Sequence, residues 1–564
     1  MVSLAITTLR FRSGQASGSA PLSITPKRLV LFVGPNNSGK TLGLREISHL
    51  ILGREVTPKV LESISIDLPR NADEAFELLL PFKLRDVGPD EILVRLKTSG
   101  FGEGGGFQGQ QISKTDLGDW LASANEQPIR SMLVGLYLLG LDGPNRFQMI
   151  GPYQTGDLKA LPDNHLAALF KDDHARARLR SIVHDAFGEY LVIDPTTGGQ
   201  LQLRMSDRPP DTVAEERGLD NSALKFHSEA SPISEFGDGV RAFVGILAPL
   251  LGGQYRIILV DEPEAFLHPP VARRLGRELA RIAVDRTSST VVATHSADFV
   301  MGCLETAGEE ITIVRLTFER RLNRATARSL GPTTLVPIFR NPLLRSSKVI
   351  DALFHQYVVA TEGDSDRVFY EEVNRRLTSQ DRGIQDCLFI NAQNKQTVSR
   401  IIAPLREIGI RAAAVLDLDV INVGNTDWET LLNACEVPAG DRANIDAERK
   451  WLAARLSTVP ARANGREWIK VGGINALTPI DIARAKALLD GLARRGIFIV
   501  PTGEVESWLG NLGISGAKRD WVPKILDRLG NDPIDPDYVA PADDDVWNFV
   551  DRIATWAENA NLQP

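Results

Sequence analysis

The feature that most constrains this chain is the tract GPNNSGKT at residues 34–41, which fits the pattern G-x-x-x-x-G-K-[ST] without a gap. An apolar run, Leu29–Val33, precedes it and a helix-like stretch follows it, as at the start of an α/β nucleotide-binding domain. Glycines let the backbone curl so that its N–H groups point at phosphate oxygens, while Lys40 offsets phosphate charge and Thr41 can hold Mg²⁺. The predicted phosphate-binding residues are Gly34, Asn36, Asn37, Ser38, Gly39, Lys40 and Thr41.

A second apolar strand, Ile257–Val260, ends in Asp261 and Glu262. Four consecutive apolar residues are typical of a strand buried on both faces. Asp261 can reach the phosphate-bound Mg²⁺, and Glu262 can polarise the attacking water as a general base. A further strand ends in His295, about 34 residues after Asp261. We predict that this strand brings His295 to the γ-phosphate as a catalytic residue.

These tracts resemble the ABC-type ATPase head, and DEPEAFLHP at 261–269 is similar to the RecF-like and overcoming-lysogenization-defect (OLD) branch of that superfamily. The resemblance implies ATP as the nucleotide and a signature loop before Asp261. The tract FGDGV at 236–240 lies there, with Asp238 and Gly239 as expected nucleotide contacts, although Gly237 replaces the usual serine. Gln148 is the candidate for the Q-loop glutamine, and an ordinary polar loop is the alternative.

The spacing between the two halves of the nucleotide site also indicates an insertion. About 220 residues separate Lys40 from Asp261, which exceeds a compact head of this type. The resemblance implies a helical insertion within residues 155–230, used for dimerisation. It also implies a homodimer or higher homo-oligomer formed through the ATPase domain.

Acidic residues follow two apolar strands in the second half of the chain. Glu362 and Asp366 come after one strand, and about fifty residues later Asp417 and Asp419 come at the end of another apolar run, 412–416. Residues two apart share a face of a strand, and open α/β sheets place their sites at the carboxyl ends of strands. Carboxylates held close together repel, so an oxygen-liganded divalent cation such as Mg²⁺ or Mn²⁺ is expected. The alternative is a set of solvated loop acids.

The order and spacing of these acids resemble a Toprim domain, found in topoisomerases, primases and OLD-family nucleases. The resemblance implies that Glu362 is a metal-binding or acid–base residue. By the same resemblance Asp417 and Asp419 are metal ligands, and Asp366 matches an additional acid of the OLD-type pattern. A later G-x-φ-E element is fitted best by Glu506, with Glu504 adjacent, and Lys518, chosen over Lys524, would stabilise developing charge. Two metals would activate water and stabilise the leaving 3′ oxygen during phosphodiester cleavage.

We therefore predict an α/β chain with an ABC/RecF-like P-loop ATPase at residues 1–340, a Toprim domain at 341–525 and an acidic tail with a short helix at 526–564. This combination resembles the OLD-family nucleases, which are ATP-regulated DNA nucleases, many of them in bacterial defence against phage. It implies ATP and Mg²⁺ (or Mn²⁺) as cofactors, DNA as substrate and a possible partner protein from a defence operon. One alternative is an ATP-driven sensor that holds and releases a partner effector through a non-cleaving Toprim domain. Another is a RecF-like repair ATPase.

The composition excludes collagen-like, disulfide-scaffold and fully disordered proteins. The chain is 43% hydrophobic and 24% charged, which is ordinary for a globular protein. Its three cysteines, Cys303, Cys387 and Cys435, are far apart, which argues against a zinc site or disulfide framework and favours a reducing cytoplasm. The longest apolar tract, residues 242–260, is interrupted by Gln254 and Arg256, so we predict no membrane span. The formal net charge of −8 excludes neither DNA nor protein partners, because local basic patches can bind nucleic acid.

Overall fold

The computed structural model describes residues 4–14, 19–97, 107–123, 126–286, 288–319, 324–331, 336, 340–342, 348–459, 472–516 and 518–559. The chain divides into two units, Met1–Thr333 and Thr334–Pro564. None of the described helices is both long enough and apolar enough to cross a membrane.

A six-stranded sheet forms the centre of the first unit. Its strands lie in the order Arg324–Leu330, Ile311–Glu319, Leu29–Val33, Ser289–Ala293, Ile257–Asp261 and Leu138–Leu141. All neighbours pair in parallel except the first two, which are antiparallel. The strands Leu29–Val33 and Ser289–Ala293 are buried at every residue, as parallel strands covered on both faces should be. The carboxyl ends of the central strands therefore meet at one edge of this sheet.

Helices and three smaller sheets complete the first unit. The helices are Lys40–Ile51, Ala72–Leu79, Lys114–Ala122, Gln127–Ile129, Gly143–Gln148, His165–Lys171, Asp173–Phe187, Val213–Arg217, Asn221–Glu229, Asp238–Gly252, Pro269–Asp285 and Ala297–Ala307, with a π-turn at Arg130–Val134 and 3₁₀ turns at Leu80–Phe82, Ile233–Glu235 and Gly308–Glu310. The smaller sheets comprise Ser23–Ile24, Ile6–Phe11 and Leu61–Ile66; Lys83–Gly88, Glu91–Lys97 and Phe107–Ser113; and Tyr153–Gln154, Tyr190–Asp194, Gln200–Ser206 and Ser231–Pro232.

The region predicted as a helical insertion, residues 155–230, contains four helices and also an antiparallel hairpin, Tyr190–Asp194 with Gln200–Ser206. A buried ion cluster holds its helices together. Glu216 is buried and accepts hydrogen bonds from Arg176 Nε, at 2.8 Å, and from Arg180. The charges of this cluster are thus neutralised within the fold, as buried charges must be.

The second unit is built on a four-stranded parallel sheet. Its strands lie in the order Cys387–Asn391, Tyr357–Thr361, Arg411–Leu416 and Ile497–Ile499. Its helices are Asp364–Thr378, Lys395–Glu407, Asn425–Ala434, Ala439–Ser457, Pro479–Ala493, Lys518–Leu529 and Asp545–Glu558, with 3₁₀ turns at Asp351–Phe354, Leu418–Asn422, Gly473–Ala476, Val505–Ser507 and Gly510–Leu512.

The predicted acidic tail with a short helix, residues 526–564, contains the helix Asp545–Glu558, which packs into the core of the second unit. Trp547 and Val550 of this helix are buried with Phe498 from the sheet. The buried Arg376 donates hydrogen bonds to the carbonyl oxygens of Leu529, Val539 and Gly530, which fixes the connection before the helix. The segment is held in place because its apolar face completes this core, while its acids remain largely at the surface.

Candidate functional site

The loop at 34–41 wraps around its own lysine. Gly34 has φ +143°, and a Cβ atom there would lie 2.0 Å from the carbonyl oxygen of Leu316, so only glycine fits. Lys40 is buried, and its Nζ donates hydrogen bonds of 2.8 Å to the carbonyl oxygens of Gly34 and Pro35. Asn36 and Asn37 are exposed, Ser38 is buried, and Gly39 begins the helix with φ +92°. The lysine is thus held at the mouth of a loop suited to phosphate.

Thr41 and Asp261 join the two halves of the predicted nucleotide site. The Thr41 hydroxyl donates a 3.1 Å hydrogen bond to Asp261 Oδ1. Burial raises the pKa of Asp261 to about 6, and the neighbouring charge of Glu262 acts in the same direction. A carboxylate that is costly to ionise gains from a nearby cation. The hydroxyl and carboxylate oxygens together fit Mg²⁺, which prefers such hard ligands.

His295 lies between two glutamates. Its Nδ1 is 3.4 Å from Glu262 Oε1 and 3.2 Å from Glu264 Oε1, while its backbone N–H donates a 2.7 Å hydrogen bond to Glu264 Oε1. The hydrogen bond to Glu262, assisted by the charge of Glu264, raises the pKa of His295. The same contact lowers the pKa of Glu262, whereas burial raises the pKa of Glu264. Sequence reasoning did not single out Glu264, and its place two residues after Glu262 was the available signal.

Arg146 is a second residue that sequence reasoning missed. It is fully buried, and its Nη2 donates hydrogen bonds to the carbonyl oxygens of Asp261, at 2.6 Å, and Glu262, at 3.0 Å. It therefore fixes the backbone that carries both acids. Gln148 lies at the end of the same helix, is exposed, and accepts a hydrogen bond on its carbonyl oxygen from Tyr153.

The predicted signature residues lie at an exposed helix start. Gly237 precedes the helix Asp238–Gly252, and the Asp238 carboxylate pairs with Arg241 at 2.8 Å. A Cβ atom at Gly239 would lie 2.9 Å from the carbonyl oxygen of Phe266, so this helix packs closely against the segment that follows Asp261 and Glu262.

In the second unit, the acids of two neighbouring strands meet at the sheet edge. Glu362 follows the strand Tyr357–Thr361, and its Oε1 accepts a 2.9 Å hydrogen bond from the backbone N–H of Asp417. Asp417 follows the adjacent strand and is buried. Asp366, also buried, accepts a 2.9 Å hydrogen bond from the backbone N–H of Gly363 at the start of its helix. Glu362 and Asp417 are therefore adjacent, as the strand order predicts.

Asp419 is paired with a lysine that sequence reasoning missed. Its Oδ2 accepts a 2.8 Å hydrogen bond from Lys395 Nζ. Its Oδ1 and Glu506 Oε2 are buried and have no hydrogen-bond partner among the described residues. Glu504 and Glu506 lie in the turn that follows the strand Ile497–Ile499. Lys518 begins the helix Lys518–Leu529, but its side chain lies outside the described residues.

The donor set at this edge fits Mg²⁺ or Mn²⁺, because its atoms are carboxylate oxygens and two of them are buried without a partner in the described part of the chain. The acids are not drawn into a ready cage, however. Within the described ranges, no three His, Cys, Asp or Glu side chains lie close enough together to hold a metal ion. Repulsion between neighbouring carboxylates accounts for this spread, and so does the pull of Lys395 on Asp419.

Two family models match this chain. The model described as "AAA domain, putative AbiEii toxin, Type IV TA system" matches residues 211–302, which include Asp261 and His295. The model described as "Overcoming lysogenization defect protein-like, TOPRIM domain" matches residues 353–419, which include Glu362, Asp417 and Asp419. No curated protein matches the chain.

Solved structures with some likeness to the chain are heads of SMC proteins. An SmcHead bound to the C-winged helix domain of ScpA is 13% identical, with 59% of this chain and 100% of that chain covered and a TM-score of 0.33. The SMC head domain from Thermotoga maritima is 14% identical, with 58% and 99% covered and a TM-score of 0.27. An Smc head domain with an extended coiled coil, bound to the C-terminal domain of ScpA derived from Pyrococcus furiosus, is 12% identical, with 59% and 98% covered and a TM-score of 0.30.

The two family matches, together with the largely parallel sheet of the first unit and the parallel sheet of the second, confirm the predicted α/β fold class. One match lies in each unit, and each includes residues that sequence reasoning had selected. This chain combines an ATPase domain of the AAA/ABC type with a Toprim domain of the overcoming-lysogenization-defect-like type.

Proposed function

We propose that this chain is an ATP-hydrolysing, Mg²⁺- or Mn²⁺-dependent DNA endonuclease whose cutting is gated by nucleotide, and that it acts in defence against phage. The observation that carries the nuclease part is the 2.9 Å contact of Glu362 with the backbone of Asp417, at the carboxyl ends of adjacent parallel strands. Toprim domains of this type place their metal-binding acids there, and the orphaned Asp419 and Glu506 oxygens support a cation at the same edge.

In the ATPase domain, each contact has a chemical role. When nucleotide binds, Lys40 would contact the β- and γ-phosphate oxygens, and Thr41 and Asp261 would hold Mg²⁺. Glu262, whose pKa His295 lowers, is ionised at neutral pH and accepts a proton from the attacking water. His295 lies beside it and contacts the γ-phosphate. Gln148, at the end of the helix that contains Arg146, contacts the same phosphate.

A second copy of the chain completes this site in the proposal. The exposed Asp238 and the half-buried Gly239 of the signature loop contact the nucleotide of the partner subunit, so the active ATPase is a homodimer or higher homo-oligomer. Because Gly237 lacks the usual hydroxyl, one hydrogen bond to the phosphate is missing, and turnover is slow.

In the Toprim domain, the acids Glu362, Asp366, Asp417, Asp419, Glu504 and Glu506 would hold the divalent cations. Cations bound there supply an activated water and stabilise the leaving 3′ oxygen. Glu362, next to Asp417, accepts or returns the proton of that water. Lys518 stabilises the negative charge that develops on the phosphate.

A plasmid-nicking assay on the full chain tests this proposal. Supercoiled DNA is incubated with Mn²⁺ or Mg²⁺, with and without ATP, and the ATPase rate is measured in parallel. We expect Asp417→Asn to lower nicking roughly a hundredfold or more, because several kcal/mol of metal stabilisation are lost, while ATP hydrolysis continues. Asp427→Asn, an exposed change in the same unit, serves as the matched control and should nick normally.

The outcome also separates the alternative functions. Nicking that persists in Asp417→Asn contradicts the assigned site. A chain that hydrolyses ATP, leaves plasmid intact with both metals and co-purifies with a stable partner favours the ATP-driven sensor instead.

A further inference from the structure

Lys395 reaches across the metal-binding edge of the second unit. It is the first residue of the helix Lys395–Glu407, which follows the outermost strand, Cys387–Asn391. Its partner Asp419 follows the third strand of the sheet, Arg411–Leu416. The strand between them, Tyr357–Thr361, is the one that leads to Glu362. The 2.8 Å ion pair of Lys395 with Asp419 therefore spans the strand end at which Glu362 lies.

The ion pair between Lys395 and Asp419 can open without disturbing the core of the second unit. The side chains of Lys395 and Asp419 are 25% and 28% exposed, so each is partly solvated and neither is locked in the core. Lysine is a compact cation on a flexible stem, which makes a point-charge contact and not a rigid bidentate one. The Asp419 carboxylate can therefore change partners without breaking a buried network.

The same carboxylate is a predicted metal ligand. An ammonium and a divalent cation cannot share Asp419 without strong repulsion, because like charges a few ångströms apart are unfavourable even at high effective dielectric. Its other oxygen, Oδ1, is buried and has no hydrogen-bond partner among the described residues. Asp419 thus has one oxygen neutralised by Lys395 and one available to a cation.

We propose that Lys395 is an exchangeable counter-ion of the Toprim site: it neutralises Asp419 while the acids hold no cation, and it leaves Asp419 when they take one. This inference rests on the metal-binding part of the proposed function. It explains why acids on neighbouring strands are not gathered into a cage in the described part of the second unit. Once released, the ammonium remains at the edge where a DNA phosphate would approach, which suits a lysine there.

Mn²⁺ binding, measured by isothermal titration calorimetry on the full chain without nucleotide, tests the inference. The relevant site is the one whose binding heat Asp417→Asn removes. Lys395→Met keeps the length of the side chain and removes its charge, and we expect it to bind Mn²⁺ about tenfold more tightly at this site, because a competing positive charge is gone. Lys395→Arg keeps the charge and can pair bidentately with Asp419, so it should bind Mn²⁺ no more tightly than the wild type does.

A matched control and a double variant make the result specific. Lys486→Met, at an exposed position of the same unit, should leave the affinity unchanged. The gain from Lys395→Met should disappear when Asp419→Asn is also present, because the two residues act through one contact. Circular dichroism spectra of the variants verify that they are folded.

Unchanged or weaker Mn²⁺ binding in Lys395→Met, at a site that Asp417→Asn still removes, overturns the counter-ion role and leaves the metal site standing. Absence of an Asp417-dependent site in both the wild type and Lys395→Met overturns the metal-binding function itself, and the counter-ion role with it.

Discussion

At the scale of single residues, burial and pairing give the carboxylates of the ATPase site different properties. Asp261 has its pKa raised to about 6 by burial, Glu262 has its pKa lowered by His295, and Glu264 has its pKa raised by burial. Glu262 is therefore the acid best kept ionised for accepting a proton, while Asp261 gains most from a cation. In the proposed mechanism, the fold thus separates a general base from a metal ligand at adjacent positions.

Because the pKa of Asp261 is raised, we expect that removing its charge stabilises the folded protein and abolishes its activity. The ordinary pKa of this carboxyl group is 3.8, so above that pH it ionises more readily in the unfolded chain than in the folded protein. This difference lowers the free energy of unfolding, and the loss reaches its full size above about pH 6. Asp261→Asn keeps an oxygen for the Thr41 hydroxyl and removes the charge. We expect it to raise the free energy of unfolding by about 1–3 kcal/mol at pH 8 and by about half as much at pH 5, while abolishing ATP hydrolysis.

Thermal unfolding of the nucleotide-free protein at the two pH values measures this effect. A destabilised Asp261→Asn at pH 8, or a gain that grows as the pH falls, would contradict the raised pKa.

Glu264 gives a second prediction at this scale. Its carboxylate accepts the hydrogen bond from the His295 backbone and faces the His295 ring. Glu264→Gln keeps an acceptor for the backbone N–H but removes the negative charge beside the ring, so His295 is oriented less firmly. We expect kcat for ATP to fall roughly tenfold, as for a lost positioning contact to a charged group, with KM nearly unchanged. An unchanged kcat, or a loss confined to KM, would show that Glu264 has no part in orienting His295.

At the scale of helices and strands, buried charge and buried aromatic rings determine which elements the fold cannot lose. Strands with continuous apolar runs, such as Leu29–Val33 and Ile257–Val260, were predictable because parallel strands are covered on both faces. The amphipathic pattern of the C-terminal helix, with Trp547 and Val550 on its apolar side, was also predictable, but the sheet against which this side packs was not. Lys395 and Arg146 were missed because their partners, Asp419 and Asp261, are distant in sequence and no local pattern reports such contacts.

The buried cluster of the 155–230 region gives an element-scale prediction. Glu216→Ala leaves Arg176 buried without its main counter-charge, and we expect a loss of about 3–5 kcal/mol in the free energy of unfolding. Glu229→Ala removes an exposed glutamate that lies 3.9 Å from Lys225, and should change stability by less than about 1 kcal/mol. Denaturant unfolding of both variants compares them directly, and equal losses would contradict the account.

The C-terminal helix, Asp545–Glu558, gives a second prediction at the scale of helices and strands. Trp547→Ala removes a buried ring from the core of the second unit and should cost about 3–5 kcal/mol. Asn548→Ala, at the exposed neighbouring position, should be nearly neutral. A second unit that keeps its thermal midpoint in Trp547→Ala would show that the helix is dispensable.

At the scale of the whole molecule, two sheets of the same general design carry the two proposed sites. In each, acids or glycines at the carboxyl ends of parallel strands form the candidate site, so the ends of predicted strands were enough to select Asp261, Glu362 and Asp417. The sequence does not predict which groups contact the acids of each site when no cation is bound. These groups are distant in sequence: Thr41 contacts Asp261, and Lys395 contacts Asp419.

In the proposed nuclease site, acids from neighbouring strands of the second unit hold divalent cations together. An anomalous difference map, from crystals grown with Mn²⁺ and recorded near the manganese absorption edge, tests it directly. The account predicts density bonded to Glu362, Asp417 and Asp419, with Lys395 moved off Asp419. A map without density at these acids, in which Lys395 still pairs with Asp419, would contradict it.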